Sequence, residues 1–185
     1  MSRTCGTCSM CCKLLYIDEL KKPPNQWCSH VMKGGGCSIY DSRPAEVCGA
    51  FKCHWLFDES LGEEWKPQRS KFIVHAGTGG HVVWINVDVT QPLAWKKEPY
   101  YSRIKTWSGI ARTGKGYVAV IIGKRFYVVF PEEDLEISGF EPGAADISVG
   151  YRNTDGWSRP LVKMRNREES VQEFLGLPFR RPYGG

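Results

Sequence analysis

Beyond residue 53 the chain contains no cysteine, and nowhere in its 185 residues is there an apolar run long enough to cross a bilayer. The longest such stretch, YVAVII at 117–122, falls far short of the ~20 residues a spanning helix needs. That excludes a helical membrane span. The opening residues, MSRTCGTCSM, lack the apolar centre of a secretory signal, so a cytoplasmic location is expected. No phosphate loop of the form G-x4-G-K-S/T is present, and GTGG (77–80) and RTGKGY (112–117) read as turns. Asp18 and Glu19 are adjacent and would diverge on any regular element, so they do not make a catalytic pair. No Ser, His and Asp set is identifiable without spatial information. Repeats and low-complexity segments are absent.

What is present is the usage of a globular protein, 42% hydrophobic and 24% charged, which predicts a packed core. The formal net charge is +5, with basic residues spread along the chain and interleaved with acids. The most basic stretch, 152–181, sets Arg152, Arg159, Lys163, Arg165, Arg167, Arg180 and Arg181 against Asp155, Glu168, Glu169 and Glu173. No aromatic and basic RNA signature accompanies it, so a solvated surface is the preferred reading and nucleic acid a minor candidate partner.

All eight cysteines (Cys5, Cys8, Cys11, Cys12, Cys28, Cys37, Cys48 and Cys53) lie in the first 53 residues. A reducing cytosol disfavours structural disulfides and points clustered thiols toward metal binding or redox chemistry. The same region has a modest apolar inventory, too lean to hold a module of that size without a staple, and metal ligation is the staple the cytosol allows. Thiolates are preferred ligands of zinc and of iron–sulfur clusters, and C-x2-C spacing brings two sulfurs within reach of one metal. That spacing occurs twice, at Cys5/Cys8 and Cys8/Cys11. Adjacent Cys11 and Cys12 are expected to point apart, which suggests either two tetrahedral centres or one polynuclear cluster with extra cysteines around it. Cys28, Cys37, Cys48 and Cys53 would supply the distant ligands. Zinc is preferred, although the later cysteines form no second C-x2-C pair. Iron or a 4Fe–4S cluster is the alternative, because C-x2-C-x2-C also opens bacterial ferredoxin motifs, although Leu15 and Tyr16 stand where the next cysteine and its proline would fall. His30, two residues after Cys28, is a further candidate ligand. His54, beside Cys53, is a weaker one, and His75 and His81 read as surface or packing residues.

CGTCSMCC (5–12), KKPPNQWCSH (21–30), GGCSIYDSRPAEVC (35–48) and FKCHWL (51–56) together resemble the YkgJ-like cysteine-cluster family, described as zinc- or iron-chelating domains with a CxxCxxCC signature. The resemblance covers residues 5–56. It implies all eight cysteines as candidate ligands, with His30 as a ninth, and leaves the metal open. A similar cluster accompanies flagellin lysine N-methylases, which makes an iron–sulfur centre linked to methyl transfer the second reading.

A helix is predicted from Asp41 or Ser42, with Pro44 in its first turn, running toward Leu56 or Phe57. Cys48 and Cys53 would then sit about 140° apart, so either the helix breaks or the two thiols serve different sites. KFIVHA (71–76) and HVVWINVD (81–88) flank GTGG as a hairpin, and GYVAVIIG (116–123) with KRFYVVF (124–130) forms another. Between them, Tyr101, Ile104, Trp107 and Ile110 or Ala111 recur at helical spacing in 98–113, predicting a helix that covers the sheet. ADISVGYR (145–152) and RPLVKM (159–164) suggest short strands, and the last ten residues are expected to fray. The expected fold is α+β: a metal-bound cysteine-rich module over 1–57, then a β-rich region over 58–185 with one covering helix. Its partner would be a macromolecule of unidentified kind.

Overall fold

Two hairpins joined through a helix form the centre of the molecule. In a computed structural model of the chain, residues 3–77, 80–140, 145–154, 156–166, 171–176 and 179–180 are described. β1 (Phe72–Ala76) pairs antiparallel with β2 (Val82–Val87), and β3 (Tyr117–Ile122) pairs antiparallel with β4 (Arg125–Val129). The second hairpin turns where the sequence places it: Gly123 has φ of 62°, a region that L side chains avoid. β2 and β3 run parallel, from Val82↔Tyr117 to Asn86↔Ile121. Parallel neighbours need a long crossover, and α3 (Tyr100–Thr113), the long helix after the short α1 (Met10–Leu14) and α2 (Pro67–Ser70), supplies it. β5 (Asp134–Ile137) closes a five-stranded sheet in sequence order. A second sheet holds β6 (Ala145–Thr154), β7 (Trp157–Asn166) and β8 (Val171–Leu175), with β9 (Phe179–Arg180) also on β7. Helix and strand content together make this an α+β structure.

The alternation of side chains across a strand sorts the core into two layers. In β3 and β4, Val118, Val120, Ile122, Tyr127 and Val129 face one cluster, which contains Ile104 of α3. Ala119, Phe126 and Val128 face the other, which contains Val162 and Met164 of β7. The first sheet is therefore apolar on both faces, with helix on one side and the second sheet on the other.

The first layer reaches into the cysteine-rich region. Met10 and Leu14 of α1 (Met10–Leu14), together with Cys53 and Trp55, belong to the same buried cluster as Leu61, Trp65, Phe72 and Ile85. Lys13 Nζ meets Asp88 Oδ2 at 2.5 Å, tying α1 to the end of β2. Arg3 donates to the carbonyls of Trp55, Asp58 and Leu61 at 2.9, 2.9 and 2.7 Å. The compositional boundary near residue 57 is thus no gap in the packing.

Two local expectations need correction, and a third is resolved between its alternatives in favour of Ala111. The helix predicted over 41–57 is not continuous. Tyr40–Ser42 form a 3-10 turn, Ala45–Gly49 a wide π-type turn, and His54–Leu56 another 3-10 turn. Pro44 precedes the wide turn with ψ of 115° rather than entering it, and the chain is extended at Cys53. In α3 the buried stripe is Ile104 and Ser108, with Tyr101, Trp107 and Ala111 half-buried beside it, while Ile110 is 64% exposed. A spacing of three from Trp107 carries Ile110 past the edge of the contact face. Lastly, Phe179 and Arg180 do not fray but pair with Ser158 and Trp157. Residues 177–178 and 181–185 of that expectation lie outside the described residues.

Candidate metal centre

The thiols are brought together by loops, since the region between residues 3 and 57 has little regular structure. Cys8 N–H donates to Cys5 O at 3.0 Å, so the first C-x2-C closes as a tight turn. One residue further on, α1 begins and carries Cys11 and Cys12. Their sulfurs lie 3.9 Å apart, so the adjacent pair converges instead of pointing apart. Ile17 and Lys22 then exchange two backbone hydrogen bonds of 3.0 Å, reversing the chain. Cys28 N–H donates to Cys12 O at 3.0 Å, which brings the next segment back onto α1.

Residues 30–38 form a loop clasped by the Val31↔Cys37 bridge and by Ser38 N–H donating to His30 O at 2.8 Å. Gly36 N–H donates to Ser9 Oγ at 2.9 Å, and Gly35, at φ of 99°, lies so close to Thr7 that a Cβ there would stand 2.3 Å from its carbonyl oxygen. The glycines of MKGGGC therefore let the Cys37 loop press against the Cys5–Cys12 loop. Cys48 and Gly49 both donate to Pro44 O, at 2.9 and 3.0 Å, within the wide turn. Cys53 follows, buried, against the core.

All eight cysteines are free thiols: Cys28 and Cys53 are buried, Cys5 is exposed and the rest are intermediate. Their electrostatics divide them. Burial, then Cys5 and Cys8, push the Cys53 thiol up to about 11. Burial, then Cys8 and Cys12, raise Cys5, and Cys11 is raised by its contact with Cys12, by burial, and by Cys5 and Cys8 among its neighbours. Burial and then Cys12, Cys28 and Cys37 raise Cys48. Cys12 moves down, through its contact with Cys11 and then through the charge of Lys22, against the cost of burial. Cys5 and Cys8 act on both Cys11 and Cys53, and Cys12, Cys28 and Cys37 act on Cys48, while Cys12 also acts on Cys5 and touches Cys11, so the two groups are joined through Cys12. Thiols that raise one another resist multiple ionisation, the condition that a cation in their midst would relieve.

Among the described residues, no three His, Cys, Asp or Glu side chains stand in a geometry that could hold a metal ion. The histidines divide differently. His30 lies on the Cys28–Cys37 loop, whereas the His54 ring is engaged with Asp58 (Nε2 to Oδ2, 3.2 Å) and packs edge-on against Phe57 and Trp107. His75 pairs across the hairpin with Trp84, not with His81, and its Nε2 meets Asn86 Oδ1 at 3.0 Å.

Sequence reasoning missed Lys22. In a stretch reading ELKKPP it resembles a solvated lysine, yet it is 5% exposed and its Nζ donates to Lys13 O at 2.8 Å and to Leu15 O. Of the basic stretch near the C-terminus, Arg152 and Lys163 both pair with Glu173, and Arg165 is exposed on β7. Arg167 and Arg181 lie outside the described residues. Among the described residues no helix is long and apolar enough to cross a membrane. No family model, no curated protein and no solved structure matches the chain.

Proposed function

We propose that the chain is a metal-binding protein whose cysteines chelate zinc at two mainly structural sites, one formed by Cys5, Cys8, Cys11 and Cys53 and the other by Cys12, Cys28, Cys37 and Cys48. The carrying observation is the concentration of eight free thiols in residues 5–53, with the Cys11 and Cys12 sulfurs in contact; the division into two sites follows the neighbours that act on Cys53 and on Cys48. The donor set suits the ion. Tetrahedral zinc takes four thiolates at Zn–S distances of about 2.3 Å, and the Cys11–Cys12 contact of 3.9 Å would set the two sites side by side. The remaining sulfurs would have to close in, and the irregular loops that carry them leave the backbone free of helix or strand ladders to break. Zinc would supply ligation energy to a region short of apolar core. The role that follows is to brace a binding surface for a macromolecular partner, not to perform catalysis. The similarity of residues 5–56 to YkgJ-like cysteine clusters accords with this reading.

Metal analysis of single and double serine variants tests it. Cys8→Ser and Cys53→Ser should each lose one of two zinc equivalents, and the double variant should lose no more than either alone. Combining Cys53→Ser with Cys37→Ser should remove both. If every single variant loses all its metal, and anaerobically prepared protein shows visible charge-transfer absorption and iron, the thiols serve one iron–sulfur cluster and the redox or methyl-transfer reading replaces this one. Colourless protein empty of zinc and iron would end both.

A further inference from the structure

A groove away from the thiols holds two unlike charges that do not pair with each other. It has a volume of about 390 Å³ and runs between residues 60–65 and the solvent side of α3. Leu61 and Trp65, both buried, supply its apolar lining. Trp65 is held edge-on against Phe72 and Tyr100, at centroid distances of 5.8 and 5.0 Å. Tyr100 Oη donates to Glu64 O at 2.9 Å, which fastens one wall to the other. On the α3 side, Ser102, Arg103 and Thr106 fall on one helical face. Arg103 Nη2 donates to Ser60 Oγ at 2.7 Å, and that hydroxyl donates to Asp58 Oδ1 at 2.7 Å. The guanidinium is thereby oriented by one of its several N–H donors, and the others are left for a ligand. Among the described residues Arg103 enters no ion pair. Glu64 enters none either; its carboxylate lies over Gly62, where a Cβ would stand 2.3 and 2.5 Å from the two oxygens.

We infer that this groove binds a small dipolar molecule with an apolar body, of the class of a free amino acid with a large apolar side chain: Arg103 takes the carboxylate, Glu64 takes the ammonium, and Trp65 and Leu61 receive the side chain. A guanidinium suits a carboxylate because its planar fork can donate two parallel hydrogen bonds. An ammonium is a compact donor, and the Glu64 carboxylate is an acceptor only. A simple anion would satisfy Arg103 but meet repulsion from Glu64, and a simple cation would meet the converse. A ligand carrying both charges satisfies both groups at once. The volume lies within the range of small-molecule sites, about 300–1,000 Å³. No cysteine lines the groove, so the inference is independent of the metal reading.

The test is a nuclear magnetic resonance titration of full-length, nitrogen-15-labelled protein with three ligands that share one ring: L-phenylalanine, 3-phenylpropanoate and 2-phenylethylamine. L-phenylalanine should shift the Trp65 indole and the Ser60, Ser102 and Arg103 amide signals saturably, with a Kd in the millimolar range or tighter. The two singly charged analogues should bind about tenfold more weakly or worse. R103Q should weaken L-phenylalanine by a similar factor without weakening 2-phenylethylamine, and E64Q should do so without weakening 3-phenylpropanoate. The amide spectra show whether each variant is folded; where one is not, the three ligands on the wild-type chain decide. Shifts that do not saturate, or that fall outside the groove, overturn the inference. Equal affinity for all three ligands also overturns it, because the groove would then read the ring and not the charges. So does undiminished binding of L-phenylalanine to both folded variants.

Discussion

Residues 3–57 and the five-stranded sheet solve the same problem by opposite means. The sheet seals its strands on both faces: Ile73, Ile85, Val118, Ala119, Val120, Phe126 and Val128 have no measurable exposure, and the ladders satisfy their backbone groups. The cysteine region leaves Tyr16, Trp27, Met32, Tyr40 and Phe57 about half exposed or more, and beside Met10, Leu14, Ile17 and Trp55 it buries Cys28, Cys53 and a lysine, Lys22. Its backbone is held by isolated turns and two single bridges. A segment with so little sealed apolar area has small intrinsic stability, because ordering each residue costs about 1–2 kcal/mol. The sheet is stable by burial, whereas the cysteine region requires a second source of order. It borrows some from the sheet through Met10, Leu14 and Trp55, and on our reading takes the rest from metal.

Removing metal breaks this comparison most severely. Structural zinc contributes on the order of 10 kcal/mol per site. Hydrogen exchange with and without a strong chelator should therefore show amides of residues 5–53 losing protection while those of β3 and β4 keep theirs. β1 should fall between, since Phe72 and Ile73 share the cluster that includes Met10 and Leu14. If the amides of 5–53 exchange equally slowly in both conditions, the region is held by its own packing and the contrast fails.

The two regions also differ in how far they could be read from sequence. The hairpins declare themselves through turn chemistry and β-branched runs, and the helix between them forces the parallel β2–β3 pair. In α3, spacing locates Ile104 and leaves Ile110 and Ala111 as alternatives, of which Ala111 meets the core, because a stripe drawn at intervals of three drifts off a face that repeats every 3.6 residues. In the cysteine region the signals conflict. Tyr40–Pro44 carries helix-start residues, yet Pro44 has ψ of 115° and Gly49 follows, and the segment is broken into turns. Which sulfurs come together is invisible in a linear spacing, because Cys53 joins Cys5 and Cys8 from across the chain while Cys28 returns to Cys12. Lys22 is illegible for the same reason. Only the reversal at Ile17 turns an ordinary lysine inward.

A packing test of intermediate size sharpens the sheet side. Ile104 is fully buried between α3 and the sheet, and truncating it should leave a cavity costing about 2–5 kcal/mol. Six residues along the same helix, Ile110→Ala should change stability by no more than about 0.5 kcal/mol. Urea titrations of both variants decide this. A comparable loss at Ile110 would mean that its exposed face is covered in solution.

The smallest effect comes from a charge placed where the sheet meets its helix. Asp134, at the start of β5, accepts from Lys105 at 2.7 Å, from Tyr101 at 2.9 Å and pairs with Lys96 at 2.9 Å. Burial alone would raise its carboxyl, but the hydrogen bonds from Lys105 and Lys96 outweigh it and hold it below the usual carboxylate range. A carboxyl depressed in the folded state stabilises above its unfolded value, near 3.9, and that contribution is lost as pH falls through the lower folded value. Stability should therefore be flat in this respect above about pH 5 and decline below about pH 4. Asp134→Asn should shift the whole curve down at neutral pH and remove part of the acid slope. Glu136 provides the surface contrast: its pair with Arg125 is half exposed and screened by salt. Thermal melts from pH 3 to 7 at low and high salt separate the two, since only the Glu136→Gln difference should vanish in salt. If the Asp134→Asn difference vanishes as well, the carboxylate is solvated, and the interface between β5 and α3 is looser than its contacts indicate.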